Sequence, residues 1–465
     1  MNLLHAMTPA ADPQLLCICI RAFGCPGVAG MGEEEYNEQR ESAPCLQKKE
    51  RDLDQAACGQ KGKASMGIFP KAKVNTGRQP EIDCLRAFCI LNMILVHVFE
   101  ECAENPGRAF FVLDVMETLT GASVFMICMG ISIRYSKNQS AHAFFSRGFG
   151  LLTTGQLLYL LRDAFPNLIA FWCTRELPFL SRSLLVFQAD ILTFAGFAFL
   201  LLGICTFFRV PDWAILAIGA VMNMAAFGLF QVFRTTGSFL ADQILGFFVV
   251  TDAESYFPLC CYFIFVAFGY VLGELYLRIP DKDRLANRVL AYLLPLSVAY
   301  FMIRVLVPFP MMPALFTTEQ YVLNPLTDAV ANIARAVCLL ALFYKLISLG
   351  GGKVPALASH LSRHITQYYF ISFLFFTPLG IFLKAVTGHR MMGWLIPLLY
   401  GVFVLIACYF IIEWNDKHLN LSFQELKGKK RVVICILIWV ISFMIVAYAY
   451  PRVDEYATFW NDYLL

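Results

Sequence analysis

Residues 78–97 read RQPEIDCLRAFCILNMILVH, and this stretch decides the fold. A polar lead-in gives way to the first long apolar segment of the chain. It puts Arg86 at the start of a membrane helix and a lone histidine, His97, eleven residues further along. At about 1.5 Å per residue, His97 lies roughly 16 Å deeper than Arg86. An ionisable side chain at such depth is costly and marks a functional site by default.

The rest of the chain suits that setting. Of 465 residues, 58% are hydrophobic and 15% charged, with a mean hydropathy of +0.61. A soluble globular protein carries about 25% charged residues. The chain therefore reads as an integral membrane protein. Its net charge of +3 is spread over short loops, which argues against a nucleic-acid footprint. Most of the 16 cysteines lie in apolar runs (Cys89, Cys128, Cys205, Cys338, Cys408, Cys435) and act as small hydrophobes. No CxxC pair and no Cys/His spacing suits zinc. Cys102 and Cys173 both fall on the outer side. Two free thiols are expected there, with a single disulfide as the alternative.

Residues 1–77 differ in kind. The stretch GEEEYNEQRESAPCLQKKERDLDQAACGQKGKAS is charged and lacks apolar periodicity, so it reads as disordered. The run LLCICIRAF is too short to span a bilayer. GIFPKAKVNTGRQPEID after Met66 looks like an ordinary cytoplasmic lead-in. Residues 1–65 are thus expected to be a dispensable tail or an over-long start-site assignment.

From residue 84, apolar runs of about 20 residues recur, the length of a bilayer crossing. They fall near 84–100, 111–133, 143–162, 184–208, 212–232, 257–277, 289–307, 325–348, 365–386, 394–413 and 432–450, eleven expected spans. Residues 165–181 (FPNLIAFWCTRELPFLS) carry Pro166, Arg175, Glu176 and Pro178, and are expected to be re-entrant or interfacial. With eleven spans, Lys71, Lys73, Arg78, Arg134, Lys137, Arg147, Arg278, Lys282, Arg284, Arg288, Lys345, Lys353, Arg363 and Lys427–Arg431 all fall on one side. The positive-inside rule makes that side cytoplasmic. The expected fold is an all-α polytopic membrane bundle over 78–450, N-terminus inside and C-terminus outside, with 451–465 as an extracytoplasmic tail. Asn138 and Asn420 open sequons on the inner side, so neither should be glycosylated.

Glu100 and Glu101 follow His97 at i+3 and i+4, on one helical face. A carboxylate there can fix the imidazole tautomer and stabilise an imidazolium, as a general base or nucleophile requires. The bland alternative is a buried or interfacial histidine. Asp83 and Arg86 at i, i+3 can pair, or Arg86 with Arg78 can bind phosphate from the cytosol. Small residues Gly121, Ala122, Ser123, Gly130 and Ser132 suit close helix packing, while Arg134, Lys137 and Arg147 can extend a phosphate site. Asp190, Arg304, Asp328 and Arg335 are charges within or at spans; Asp190 and Arg304 are the candidates for lining a cavity. His360 and His364 stand at i, i+4, but no Glu follows the first as a zincin motif demands.

RQPEIDCLRAFCILNMILVH resembles the signature of the transmembrane acyltransferase superfamily, in which members of the acyltransferase-3 family begin with an Ile-Asp-x-Leu-Arg segment and ten residues between Arg and His. Arg86, His97 and Asp83 fit it. FMICMGISIRYSK, SRGFGLLTTG and ESYFPLCCYFIFVAFGYVLGELY (residues 254–276) resemble the heparan-α-glucosaminide N-acetyltransferase-like branch. Cys84 and Ala87 depart from the pattern, standing where Gly is often seen. The resemblance implies transfer of an acyl group, usually acetyl, from cytoplasmic acetyl-CoA or another acyl-CoA to a hydroxyl or amine of an extracytoplasmic glycan or glycolipid. The acyl-CoA is a donor substrate, and no bound cofactor is expected. His97 would be the catalytic base or acyl carrier with Glu100 and Glu101 beside it. Arg78, Asp83, Arg86, Arg134, Arg147, Asp190, Tyr256 and Arg304 would bind substrates. An outer surface with Tyr256, Trp172, Asp114 and Glu117 suits a carbohydrate. The implied setting is a bacterial-type plasma membrane, with a homo-oligomer left open. The alternative is a proton-coupled transporter or flippase of an exopolysaccharide pathway, with His97 and Glu100 relaying protons.

Overall fold

The computed structural model describes residues 72–104, 107, 112, 115, 116, 120–251, 255–306, 326–387, 389–418 and 429–453. The expectations for residues 1–71, Asp114, Glu117, Asn420 and the 454–465 part of the tail lie outside them. The described chain is a bundle of α-helices with one two-stranded parallel pairing.

Helix α1 (Pro80–Cys102) is the centre of the bundle. Pro80 sits in its first turn, where a missing N–H costs nothing. Glu81 and Asp83 in that turn complement the positive end of the helix dipole. Most of α1 is buried, its polar Asn92 included. The described chain then runs through α2 (Ala122–Tyr135) and α3 (Ala141–Tyr159). A π-turn over Leu160–Ala164 leads into α4 (Phe165–Thr174). Arg175 takes the left-handed conformation at φ 63°, which stops α4. The chain turns back as α5 (Leu177–Ser183), which packs against α4. Residues 165–181 therefore form two short antiparallel pieces, with Phe179 and Leu180 buried, and no spanning helix of their own.

Next come α6 (Ile191–Phe207), α7 (Asp212–Phe233), α8 (Phe239–Gly246) and α9 (Leu259–Arg278). Helix α10 (Lys282–Arg288) runs through a second π-turn into α11 (Leu294–Leu306). Then follow α12 (Leu326–Leu349), α13 (Ala356–Arg363), α14 (Ile365–Thr387), α15 (Leu395–His418) and α16 (Lys429–Val453). Strand β1 (Ala103–Glu104) extends α1 and pairs in parallel with β2 (Met391–Met392), between α14 and α15. Among the described residues, eight helices are long and apolar enough to cross a membrane: α1, α7, α9, α10–α11, α12, α14, α15 and α16. Helices α2 and α6 are apolar but shorter.

One apolar core joins α1 to α14, α15 and α16, and a second joins α2, α6, α7 and α9. The tightest backbone approach in the second core is between α2 and α9. A Cβ on Gly269 would fall 2.2 Å from the Ile127 carbonyl oxygen, and one on Gly130 2.3 Å from that of Val266. In an apolar setting such close van der Waals packing replaces the hydrophobic drive that water supplies elsewhere. Cys102 is buried, Cys173 is exposed, and both are free thiols.

Gly269→Ala should therefore destabilise the purified protein by about 1–3 kcal/mol, the usual cost of overpacking. A thiol-reactive melting assay in detergent would show the fall in Tm. An unchanged melting point would mean that α2 and α9 can separate freely.

Candidate active site

The last two turns of α1 carry His97, Glu100 and Glu101. His97 Nδ1 lies 2.7 Å from Glu100 Oε2, so the i, i+3 spacing does place carboxylate and imidazole in contact. Both side chains are partly exposed, at 32% and 42%, so the pair is reachable. A hydrogen on Nδ1 would be held by Glu100, and Nε2 would then be the basic nitrogen. The His97 ring packs on Phe373 of α14, with centroids 4.8 Å apart.

Phe373 joins His97 to an ionic cluster. Arg162, in the π-turn, lies over the Phe373 ring at 4.8 Å and over Tyr159 at 4.7 Å. Its Nε donates to Asp163 at 2.6 Å, and its Nη1 lies 3.6 Å from Asp190 Oδ2. Asp190 is 4% exposed, caps α6 through the Leu192 N–H, and accepts from the Tyr369 hydroxyl at 2.5 Å. A π-turn is rare and often marks a functional site. Here it shifts the helix register at Arg162 and Asp163. Tyr256 lies near Tyr159, at the edge of the same cluster.

Arg390, 7% exposed in the loop between α14 and α15, closes the site from beyond α1. Its Nη1 donates to the Glu100 carbonyl at 2.8 Å, and its own N–H donates to Glu104 at 2.9 Å. Burial pulls the Arg390 guanidinium below its usual pKa, and the neighbouring Glu101 carboxylate opposes that shift. Helix α14 reaches α1 through Gly380, where a Cβ would sit 2.2 Å from the Glu101 carbonyl oxygen.

The other predicted residues gather at the opposite end of α1. Arg78 pairs with Asp83 and donates to Ser359 at 3.0 Å, while Ser362 donates to Asp83 at 2.6 Å. Asp83 is thus engaged by Arg78 and α13. Arg86 is half-buried and makes no salt bridge among the described residues; Asp83 is its nearest carboxylate influence, with Cys128 and Cys89 also nearby. Arg134 is locked to Glu274 and Asp212, each at 2.7 Å, and to the Tyr270 hydroxyl. It ties α2 to α9 and α7. Arg147 donates to Ser136 at 3.0 Å. The Arg304 side chain lies outside the described residues. Trp172 is exposed and donates to the Tyr448 hydroxyl at 3.3 Å.

His360 and His364 stack at 4.7 Å, facing Glu413 and Asp416 at 3.4 Å each. Among the described residues no group of three or more His, Cys, Asp or Glu could hold a metal ion.

Arg162, Asp163, Tyr369, Phe373 and Arg390 were absent from the sequence-derived site. The adjacent charges of Arg162 and Asp163 in the apolar run LLRDAF were a usable signal. Phe373 and Tyr369 lie in the run YYFISFLFF, where nothing separates core from site.

A family model described as "Heparan-alpha-glucosaminide N-acetyltransferase, catalytic" matches residues 78–322, more than half of the chain. The chain belongs to this family. The heparan-alpha-glucosaminide N-acetyltransferase segment includes α1 and the π-turn, hence His97, Glu100, Arg162, Asp163 and Asp190. Tyr369, Phe373 and Arg390 come from the chain beyond it. The kinship with the acyltransferase-3 family remains a likeness of the Arg86–His97 motif. Comparison with curated proteins and with solved structures gave no match.

Two predictions follow from this geometry. Arg390→Met should lower turnover about tenfold or more, because a misaimed group costs orders of magnitude, while Arg390→Lys should recover part of it. Acetyl transfer by the three proteins at matched folded concentration checks this. His360 has its pKa lowered to about 4, first by burial and then by His364. The unfolded chain therefore binds the extra proton between about pH 6.5 and 4, so stability is full above 6.5 and is lost as pH falls. His360→Gln should flatten a melting-temperature profile over that window.

Proposed function

We propose that this membrane acetyltransferase moves an acetyl group from cytoplasmic acetyl-CoA to a hydroxyl or amine of an extracytoplasmic glycan or glycolipid, with His97 as general base. The observation that carries the reading is the His97–Glu100 contact at 2.7 Å in a chain of this family. Nδ1–H donates a hydrogen bond to Glu100, and Nε2 accepts the proton of the acceptor nucleophile as it attacks the thioester carbonyl. The tetrahedral intermediate collapses, the carbon–sulfur bond breaks, and the coenzyme A thiolate leaves. Glu100 stabilises the imidazolium until it passes that proton to the coenzyme A thiolate.

The two ends of α1 divide the work. The half-buried Arg86 guanidinium, about 16 Å from His97 along the helix, suits the phosphate-bearing part of the donor. The neutral pantetheine arm spans the distance. Phosphate contacts hold the donor so that the thioester meets His97 where water is scarce. Eleven crossings, with the N-terminus inside and the C-terminus outside, put Arg86 on the cytoplasmic side and His97 on the outer side. On this reading α2, α3 and α6 cross beside the eight longer helices, and the membrane is a bacterial-type plasma membrane.

Radiolabelled acetyl-CoA turnover in nanodiscs, with a membrane glycolipid extract as acceptor, tests the proposal. His97→Gln should lose label transfer by at least 100-fold while still binding coenzyme A. Arg86→Gln should raise the donor KM with a smaller effect on kcat. Transfer by His97→Gln at the wild-type rate would remove His97 from the chemistry. Proton-coupled movement of substrate without acetyl-CoA consumption would favour a transporter.

A further inference from the structure

Asn92 is a buried polar residue of α1 that the chemistry at His97 does not use. It lies halfway along the helix, between Arg86 and His97, and is 5% exposed. Its Nδ2 donates to the Thr120 hydroxyl at 2.6 Å, and that hydroxyl donates to the Met116 carbonyl at 3.0 Å. The one hydroxyl hydrogen of Thr120 is therefore spent, so Thr120 accepts from Asn92. This fixes which way the Asn92 amide points. Oδ1 is left buried with no hydrogen-bond partner. An unmet acceptor in an apolar bundle costs free energy, and a ligand that brings an N–H removes that cost.

The same point is the start of a helix. Thr120 is followed by Gly121, the N-cap residue of α2, and no side chain caps that end. Helix α2 thus begins beside the middle of α1 and runs back along it, with Cys128 near Arg86. The first N–H groups of a helix have no partner within it and favour an electron-rich oxygen. In membrane proteins, helix starts at mid-depth commonly hold polar groups of a substrate. An unmet acceptor oxygen beside a helix start suits an amide: its N–H meets Asn92 Oδ1 and its carbonyl meets the α2 end. A phosphate or carboxylate would suit the helix but repel Oδ1. By helical rise Asn92 stands about 9 Å past Arg86 and about 7.5 Å before His97. A pantetheine arm running from phosphates at Arg86 to a thioester at His97 passes this level, and it carries two amides. We propose that Asn92 and the start of α2 form the subsite for a pantetheine amide of the donor. The inference rests on the acyl-transfer reading above and deepens it. Asn92 then determines donor specificity: it selects thioesters that carry this amide and sets how far the thioester reaches toward His97.

The test uses the full chain in nanodiscs with acetyl-CoA and two analogues of it, each with one pantetheine amide replaced by an ester. The replacement keeps the carbonyl, removes the N–H and sets an oxygen lone pair against Oδ1. With wild type, one of the two analogues should lose about tenfold or more in kcat/KM, because a site built to bond an N–H rejects a group that lacks it. Asn92→Leu should lose about tenfold or more with acetyl-CoA, yet use that same analogue within about twofold of acetyl-CoA, since losses through one shared contact do not add. Wild type that uses both esters as well as acetyl-CoA overturns the proposal, and that result depends on no variant folding. Asn92→Leu that discriminates against the same ester as strongly as wild type also overturns it, while leaving acyl transfer intact. If wild type consumes no more acetyl-CoA than His97→Gln, the acyl-transfer reading itself fails and this proposal with it.

Discussion

The last turn of α1 leaves backbone carbonyls that its own helix cannot satisfy, and they end in a largely apolar bundle. Arg390 takes the carbonyl of Glu100. Strand β1 carries the chain on into pairing with β2, so Ala103 and Glu104 meet Met391 and Met392. Gly380 lets α14 close on the Glu101 carbonyl with no side chain between them. These contacts fix where α1 stops and how it is turned. The orientation of His97, Glu100 and Glu101 depends on them, because all three sit within the last two turns of that helix.

The same requirement, that a polar group in an apolar bundle must find a partner, arranges the wall opposite. Arg162 is held by Asp163 and Asp190 and covered by the Tyr159 and Phe373 rings. The π-turn that presents it interrupts an otherwise regular helix. Asp190 caps α6 and receives Tyr369, so one carboxylate links the start of α6 to the second turn of α14. The family-matched segment thus supplies the His97–Glu100 contact and the ionic cluster, while the last third of the chain supplies the surfaces that hold them.

At the other end the charges are sorted by a different rule. Arg134, a phosphate-binding candidate by sequence, has three protein partners and ties three helices together. Asp83 is shared between Arg78 and Ser362, which docks α13 onto the start of α1. Arg86, one turn further in, has no carboxylate of its own among the described residues. A buried ion pair is structural when both partners belong to the protein. A cation left open suits a ligand that brings the anion.

Much of this was legible in residues 78–101. Apolar run length specified an all-α membrane bundle, since lipid offers no partner for an open backbone. The i, i+3 spacing brought His97 onto Glu100 because helical periodicity is local. The segments FMICMGISIRYSK, SRGFGLLTTG and 254–276 pointed to the family that the match over 78–322 then established, whereas the acyltransferase-3 family suggested by the motif around Arg86 and His97 is not shown. The partners of Asp83, Arg134 and Asp190 were not legible, nor were Phe373 and Arg390 as parts of the site. Arg78–Asp83 and Arg162–Asp190 aside, these contacts join residues 78 or more positions apart, and nothing local in a sequence states which helix faces which. Sequence alone determined the helices and the His97–Glu100 contact, because both follow from neighbours along the chain. Only the tertiary structure decided which charges are spent on the fold and which remain for substrate, because burial and pairing depend on what the packed bundle brings alongside.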